Sequence, residues 1–276
     1  MNQLLKPVLL ICVCLFALTG QAIADSLSDA KRAYHAKDFA KAAKLYRPLA
    51  NQGNAYAQLN LGVMYDNGQG VPQDYKEAVK WFRLAAEQGN ADAQFNLGVM
   101  HGRGEGVRQD YKEAVKWYQL AAKQGNASAQ FYLGVMHDNG QGVPQDYKEA
   151  VKWYQLAAKQ GNAYAQLNLG MMYDNGQGVP QDYKQAVKWL RLAAEQGDAK
   201  AQANLGAKYD KGQGVPQDYA RAYMWVNIAA VNGPASELKK MTASYRDSIA
   251  KKMSAQQIAK AQQLARKCTA KKFKGC

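Results

Sequence analysis

Cysteine and histidine are the residues that this sequence most clearly lacks. Residues 15–267 contain no cysteine, and the 276-residue chain has only three histidines. A structural zinc site takes about four ligands from these residue types, so the sequence predicts no metal site and no cofactor. It also lacks a Gly-x-Ser-x-Gly elbow and a Gly-Lys-Ser/Thr phosphate loop. No catalytic residue is therefore predicted, and the chain is not expected to be an enzyme.

Long apolar runs are also rare, and the clearest one lies at the start of the chain. It covers residues 8–18, follows a lysine, and precedes the small residues Ala22 and Ala24. This layout predicts a secretory signal peptide over residues 1–24, cleaved between Ala24 and Asp25. A membrane-spanning helix needs roughly 20 apolar residues, so a retained anchor is the weaker alternative. The mature chain is expected to be periplasmic, secreted or at the cell surface.

The C-terminal region combines two cysteines with an excess of positive charge. Cys268 and Cys276 can form a disulfide in an oxidising compartment, the alternative being two free thiols on a frayed tail. From Gly233 onward there are eleven lysines and arginines against two acidic residues, in a chain of net charge +14. Such a region can bind an anionic cell-wall or membrane surface, although solvated lysines are the plainer interpretation. Nucleic acid is not expected as the partner of an exported chain.

A 36-residue repeat occupies most of the remaining sequence. The sixteen residues from Asp66 to Trp81 recur unchanged from Asp138 to Trp153. A period of this length is typical of a stacked-repeat architecture. Five units are predicted, over residues 54–89, 90–125, 126–161, 162–197 and 198–233, with a starting helix pair over residues 25–53 and a basic helical cap over residues 234–276.

Each unit is predicted to consist of two helices joined by a tight corner. In the first unit, Gly62 lies inside the apolar face of the first helix, which predicts close approach of the second. The stretch GQGVPQ then breaks the helix, and Asp74 starts the next one, with Glu77 in a capping-box position. The predicted core includes one tryptophan from each unit: Trp81, Trp117, Trp153, Trp189 and Trp225.

Two histidines replace a repeated tyrosine. His101 and His137 occupy the position that Tyr65 holds in the first unit. Because no further ligands accompany them, they are predicted to substitute for tyrosine in the core or at its edge rather than to bind metal.

The repeated pattern resembles a known family. A-x-A-Q-x-x-L-G-x-x-Y, then G-x-G-V, D-Y-x-x-A-x-x-W and A-A-x-x-G, is similar to the Sel1-like repeat, a relative of the tetratricopeptide repeat, over residues 55–233. The resemblance implies an all-α, right-handed α/α solenoid of antiparallel helix pairs. It also implies a bacterial scaffold or adaptor that binds a protein or peptide, in envelope processes or host contact.

An enzyme is the alternative within the same family. One Sel1-like subgroup is associated with penicillin binding or hydrolysis and has a disulfide in each repeat. The repeats of this chain contain no cysteine, which weighs against such a cell-wall enzyme.

Partner-binding residues are predicted on the first helix of each unit, where the units differ. Positions at i, i+4, i+7 and i+11 form a stripe distinct from the buried face, expected to line the concave side as in tetratricopeptide proteins. We call it the first-helix stripe. Its polar and aromatic members are Tyr56, Asn60, Asp92, Asn96, Arg103, Ser128, Tyr132, Tyr164, Asn168, Lys200, Asn204 and Lys211. The carboxamides are expected to clamp the main chain of a partner segment, unless these residues only keep the face soluble.

Overall fold

The computed structural model describes residues 25–233 and 237–276 of the chain. The predicted signal peptide lies outside these residues, as does the start of the predicted cap at residues 234–236. Every regular element within the described ranges is an α-helix, and consecutive helices form antiparallel pairs. The all-α fold of helix pairs predicted from the repeats is therefore confirmed.

The helices belong to two compact units, divided between residues 124 and 125. The first unit contains α1 (residues 25–35), α2 (Phe39–Asn51), α3 (Ala55–Asn67), α4 (Tyr75–Glu87), α5 (Ala91–Arg103) and α6 (Tyr111–Lys123). The second contains α7 (Ala127–Asn139), α8 (Tyr147–Lys159), α9 (Ala163–Asn175), α10 (Tyr183–Glu195), α11 (Ala199–Lys211), α12 (Tyr219–Asn232), α13 (Glu237–Ala250) and α14 (Ala255–Ala270). We call the pairs α3–α4, α5–α6, α7–α8, α9–α10 and α11–α12 repeats 1 to 5.

Side-chain caps fix where the helices of a repeat begin. Asn54 Oδ1 accepts a 2.9 Å hydrogen bond from the Ala57 N–H at the start of α3, and Asp74 accepts from two backbone N–H groups at the start of α4. Each such cap contributes about 1 kcal/mol. The predicted capping box is wrong in its second half. Glu77 pairs with Lys80 one turn later, at 3.2 Å, instead of returning to the Asp74 backbone.

The corner of a repeat needs its two glycines for different reasons. Gly68 ends α3 in the left-handed region, at φ +66°, where other residues are strained. Gly70, at φ +70°, lies against the carbonyl group of Phe39, so any Cβ there would collide with the backbone of the preceding helix pair. The corner of repeat 1 therefore fixes this helix pair against the one before it.

A second close approach lies inside each repeat. A Cβ on Gly62 would stand 2.6 Å from the ring of Phe82, so the missing side chain allows α4 to approach α3, as predicted. Phe82 is 1% exposed and fills the centre of the pair. Gly98 with Tyr118, and Gly134 with Tyr154, repeat the arrangement.

The tryptophans lie further from the centre of each pair than predicted. In each second helix, the tryptophan directly precedes the residue that contacts the glycine of the first helix, as Trp81 precedes Phe82. Neighbouring residues point about 100° apart around a helix. Only one of the two can face the centre. Trp81 and Trp225 are buried, but Trp117, Trp153 and Trp189 are only partly buried, which corrects the prediction of a fully buried set.

Buried glutamines join repeats 1, 2, 4 and 5 to the helix that precedes each of them. Gln58 is 3% exposed, and its Nε2 donates to the Ala50 carbonyl at 3.0 Å while its Oε1 accepts from Gln88 Nε2 at 2.7 Å. The equivalent pairs are Gln94–Gln124, Gln130–Gln160 and Gln166–Gln196. We call these pairs the glutamine ladder. In repeat 5, Asn232 replaces the donor, and Gln202 Oε1 has no hydrogen-bond partner among the described residues.

The two C-terminal helices pack on α12. Ile249 of α13 and Ala261 of α14 belong to the same apolar cluster as Trp225. Met224 and Ile228 of α12 join this cluster, although repeats 1 to 4 have an exposed lysine and an exposed leucine at those positions. The two helices therefore cover the side of α12 that earlier repeats expose to solvent.

Candidate partner-binding face

The first-helix stripe is accessible to solvent wherever it was predicted. It lies on α3 and α5 in the first unit, and on α7, α9 and α11 in the second. Tyr164 is 63% exposed and Tyr56 is 38% exposed. Asp92, Arg103, Lys200 and Lys211 are exposed, and the remaining predicted members are partly exposed: Asn60, Asn96, Ser128, Tyr132, Asn168 and Asn204. These side chains can therefore be reached by a partner.

Two of the stripe asparagines, which were predicted to clamp the main chain of a partner, form hydrogen bonds within their own helices. Asn60 Nδ2 donates to the Tyr56 carbonyl at 2.7 Å, and Asn204 Nδ2 donates to the Lys200 carbonyl at 2.9 Å. Asparagine competes in this way for the carbonyl one turn earlier in its own helix. Such a side chain still offers a partner its carboxamide oxygen, an acceptor, and its second N–H, a donor.

One aromatic residue, Tyr56, begins the stripe in the first unit. The Tyr56 ring lies 6.4 Å from the ring of Tyr46, and Lys31 Nζ stands 4.2 Å above it. This is cation–π geometry, which holds the ring in place. Further along, Arg103 pairs with Glu105 at 3.6 Å.

The second unit has its own aromatic group. The ring of Phe131 lies 5.3 Å from that of Tyr132 and 5.9 Å from that of Tyr164. Two stripe tyrosines are thus positioned by one partly buried phenylalanine. Rigid rings of this kind supply contact area with little loss of side-chain entropy on binding.

Repeat 5 differs from the others by its charged interior. Lys208 occupies a position that is methionine in repeats 1 to 4, is 6% exposed, and pairs with Asp174 of the preceding repeat. Asp210, also 6% exposed, accepts from Tyr245 Oη and Lys252 Nζ, both at 2.9 Å. Burial, together with this hydrogen bond, raises the pKa of Tyr245. Asp210 therefore ties repeat 5 to α13 and to the turn that follows it.

A groove that was not predicted from the sequence lies between α11 and α13. Its volume is about 410 Å³, and its lining residues are Lys200, Ala203, Asn204, Ala207, Leu238, Met241, Thr242 and Tyr245. Three of these, Lys200, Asn204 and Ala207, occupy stripe positions. The signal for the groove was present in the sequence, since alanine at 203 replaces the leucine or phenylalanine of every earlier repeat.

The repeat histidines, His101 and His137, are buried and partly buried, respectively. His101 is 8% exposed, and neither ring nitrogen has a hydrogen-bond partner in the described part of the chain. Burial lowers the pKa of His101, the charge of Arg83 acts in the same direction, and Glu113 and Asp110 oppose it. Within the described ranges, no three His, Cys, Asp or Glu side chains are close enough to hold a metal ion.

The C-terminal cysteines are joined. Cys268 and Cys276 form a disulfide with their Cα atoms 5.6 Å apart. A structural disulfide points to an oxidising compartment. Across residues 25–233 and 237–276, no helix has the length and apolarity required to cross a bilayer.

Known proteins share this arrangement. The Sel1 repeat family model matches residues 31–54, 55–90, 91–126, 127–162, 163–198 and 199–233. The first of these segments overlaps the starting helix pair predicted over residues 25–53, so the family model matches six segments where the sequence predicted five units. The matches identify a repeat scaffold and no enzymatic domain. No curated protein matches the chain.

The solved structures similar to the chain include two that are more than 30% identical to it. A Sel1 repeat protein from Oxalobacter formigenes is 35% identical, covers 83% of this chain and 98% of its own, and superposes with a TM-score of 0.71. A protective antigen present in uropathogenic Escherichia coli strains, displaying an SLR fold, is 32% identical with a TM-score of 0.57. That match covers 85% of this chain and 58% of the antigen.

Proposed function

The chain belongs to the Sel1 repeat family, and from that premise we propose that it is an exported scaffold that binds a protein partner through its first-helix stripe and catalyses no reaction. Sel1 repeats generally bind proteins. The observation that carries the proposal is a contrast between two faces of the first helices. Alanine, glutamine, leucine and glycine recur on the buried face of every repeat, whereas the stripe changes from Tyr56 and Asp92 to Tyr164 and Lys200. Variation on a constant frame is expected of a recognition surface.

Site-specific photo-cross-linking tests this proposal directly. A benzoyl-phenylalanine at position 56 or 164 replaces an exposed stripe tyrosine, and position 75 provides the control, because Tyr75 is 36% exposed but begins a second helix. We expect one discrete cross-linked protein from positions 56 and 164 in native cells and none from position 75. Equal cross-linking at all three positions, or none at either stripe position, would refute binding through the stripe.

The contribution of the asparagines can be measured separately. Asn96, Asn168 and Asn204 are changed together to alanine, which removes three carboxamide oxygens from the partly exposed face. Capture of the cross-linked partner should fall while the helical circular dichroism stays unchanged. Unaltered capture would leave the tyrosines and charged residues as the recognition groups and remove the asparagines.

Export is supported by the leader-like start of the sequence and by the Cys268–Cys276 disulfide. We expect the mature protein to begin at Asp25 and to be released with the periplasmic or extracellular fraction. N-terminal mass spectrometry of the fractionated protein checks this. A cytoplasmic protein that retains residues 1–24 would contradict it.

A second candidate function is attachment to an anionic surface through α14. Residues 251–276 contain no acidic residue, and Lys260, Lys267 and Lys271 are exposed at helical spacing on one face. Changing these three lysines to glutamine should abolish sedimentation with vesicles of anionic lipid, and raised salt should do the same. Binding that ignores both changes would exclude the attachment.

A further inference from the structure

Two residues that line the groove between α11 and α13 are smaller than their counterparts in the other repeats. Position 203 is alanine, where repeats 1 to 4 have Leu59, Phe95, Phe131 and Leu167. Position 207 is also alanine, where they have Val63, Val99, Val135 and Met171. The larger residues fill space within their repeats, as the Phe95 ring does at 6.0 Å from the ring of Tyr118.

The C-terminal helices do not refill the vacated space. Leu238 and Met241 of α13 border the groove, and Met241 remains 61% exposed. An exposed methionine beside two alanines makes an apolar floor with an adaptable wall. Compared with the other repeats, position 203 lacks most of a leucine or phenylalanine side chain, and position 207 lacks part of a valine or methionine side chain.

The exposed charge around the groove is mainly positive. Lys200 lines it, and Lys211 of α11 and Lys239 and Lys240 of α13 are exposed on the same two helices. Of the three carboxylates on these helices, Asp210 pairs with Lys252 and Asp247 pairs with Arg246, and only Glu237, at the start of α13, is exposed with no ion pair among the described residues. Negative groups on a partner are therefore attracted to the rim of an apolar groove.

We propose that this groove receives a leucine or phenylalanine side chain from a protein segment in which carboxylates flank that side chain. The proposal rests on the function proposed above and gives the chemistry of the partner at the repeat 5 end of the stripe. The apolar side chain occupies the volume that Ala203 and Ala207 leave open. Asn204 Oδ1 accepts a main-chain N–H of the segment, and Lys200 pairs with its carboxylates.

The first test uses a labelled pentapeptide with one phenylalanine between two pairs of glutamates. Methyl resonances of methionine in the isotopically labelled chain report where it binds, and the Met241 methyl should shift while the buried Met64 and Met100 methyls do not. Replacing the peptide's phenylalanine with alanine should weaken binding about tenfold or more. Replacing its glutamates with glutamines should remove the salt dependence of binding.

Two variants of the chain make the test specific. Ala203→Leu fills the groove with the residue that repeats 1 and 4 already hold there, so the fold should persist while peptide binding falls about tenfold or more. Lys200→Glu changes only an exposed side chain and should weaken binding while preserving the thermal unfolding transition. A peptide that binds both variants as tightly as the parent chain would overturn the proposal.

The native partner separates this proposal from the function on which it rests. Benzoyl-phenylalanine is placed at position 56, 164 or 200 of the Ala203→Leu variant. The groove is supported if cross-linking of the partner persists from positions 56 and 164 and is lost only from position 200. A partner that still cross-links at position 200 in this variant overturns the groove and leaves the scaffold function intact. A chain that cross-links at none of these positions loses both. If sedimentation shows that the chain self-associates and Ala203→Leu abolishes this, the groove binds a second copy of the chain. That result would overturn the proposal that it binds an acidic segment.

Discussion

In repeats 1 to 4, the second helix exposes a lysine and, four residues later, a leucine, whereas repeat 5 buries Met224 and Ile228 at the same positions. The exposed leucines are Leu84, Leu120, Leu156 and Leu192, each between 39% and 44% accessible. Ile228 is 2% accessible because α13 and α14 pack against α12. The residue at each position thus reflects what covers that helix.

On the first helix, in contrast, repeat 5 has less apolar side-chain volume than the other repeats. Ala203 and Ala207 of repeat 5 are smaller than their counterparts, and Lys208 is charged where the others have methionine. The corner glycines and helix caps, in contrast, are common to all five repeats. The backbone frame is therefore set by a few residues at the corners and caps, and the other positions are free to adapt to a neighbour or a partner.

The corner that all repeats share should show the largest effect. Gly178→Ala in repeat 4 and Gly214→Ala in repeat 5 would each press a Cβ against the backbone of a preceding helix, at positive φ. Each should lower the free energy of unfolding by about 3–4 kcal/mol. Urea unfolding followed by circular dichroism measures it.

Gly161→Ala is the matched control for the corner. Its φ is +91°, but nothing lies within 4 Å of the added Cβ, so only about 1 kcal/mol should be lost. Equal losses at all three glycines would show that backbone conformation, not contact with the preceding helix, makes the corner invariant.

The buried outer face of α12 should give the next largest effect. Met224→Lys restores the residue of the other repeats beneath the cap, where Met224 is 3% exposed. An unpaired buried ammonium should lower stability by about 2–3 kcal/mol and expose α13 and α14 to protease. Lys188→Met, at the equivalent exposed position, should change stability by less than about 0.5 kcal/mol. Similar effects of the two changes would mean that the cap does not protect α12.

The sequence predicted the helix pairs because their signals are local and repeated. Asp74, Gly62 and Gly68 each perform the role that a short stretch of sequence assigns to them. The partial exposure of Trp117 was not predicted, since it depends on which of two adjacent side chains enters the pair. Apolar α12 also carried a signal for its cap, because YMWVNIAAV has apolar residues where the other repeats have lysine.

The candidate site was less predictable than the fold. Stripe positions follow from helical spacing, and their accessibility agrees with it. The bonds of Asn60 and Asn204 to their own helices depend on side-chain competition that spacing does not encode. The groove beside Ala203 depends on how α13 packs, and α13 lies outside the repeat.

The buried histidine of repeat 2, His101, should make stability depend on pH, whereas repeat 5 has a tyrosine at the same position. Tyr209 of repeat 5 accepts from Arg191 at 2.6 Å, whereas repeat 2 places buried His101 in that register opposite Arg83. Because burial lowers the folded-state pKa of His101, the unfolded chain binds more protons below about pH 6.5. The contribution of His101 to the free energy of unfolding should therefore be complete above that pH and be lost as the pH drops toward 5.

His101→Tyr should remove this part of the acid sensitivity. It should also add about 1 kcal/mol at neutral pH by giving Arg83 a hydroxyl acceptor. Thermal unfolding of both chains between pH 5 and 8 measures the two effects. His35→Tyr is the control, since His35 is exposed. An unchanged pH dependence in His101→Tyr would assign the sensitivity to other groups.

The smallest effect should come from completing the glutamine ladder in repeat 5. Asn232→Gln adds the methylene that lets an amide reach the buried Gln202 Oε1, as Gln196 reaches Gln166 at 2.8 Å. A satisfied buried acceptor should raise the free energy of unfolding by about 1 kcal/mol, and Gln196→Asn should lower it by a similar amount. Since α12 continues through Asn232, whereas α10 ends one residue before Gln196, the two variants also separate side-chain length from backbone position. If Gln196→Asn lowers stability while Asn232→Gln leaves it unchanged, the altered end of α12 breaks the ladder, and the cap that covers α12 has changed its backbone as well as its side chains.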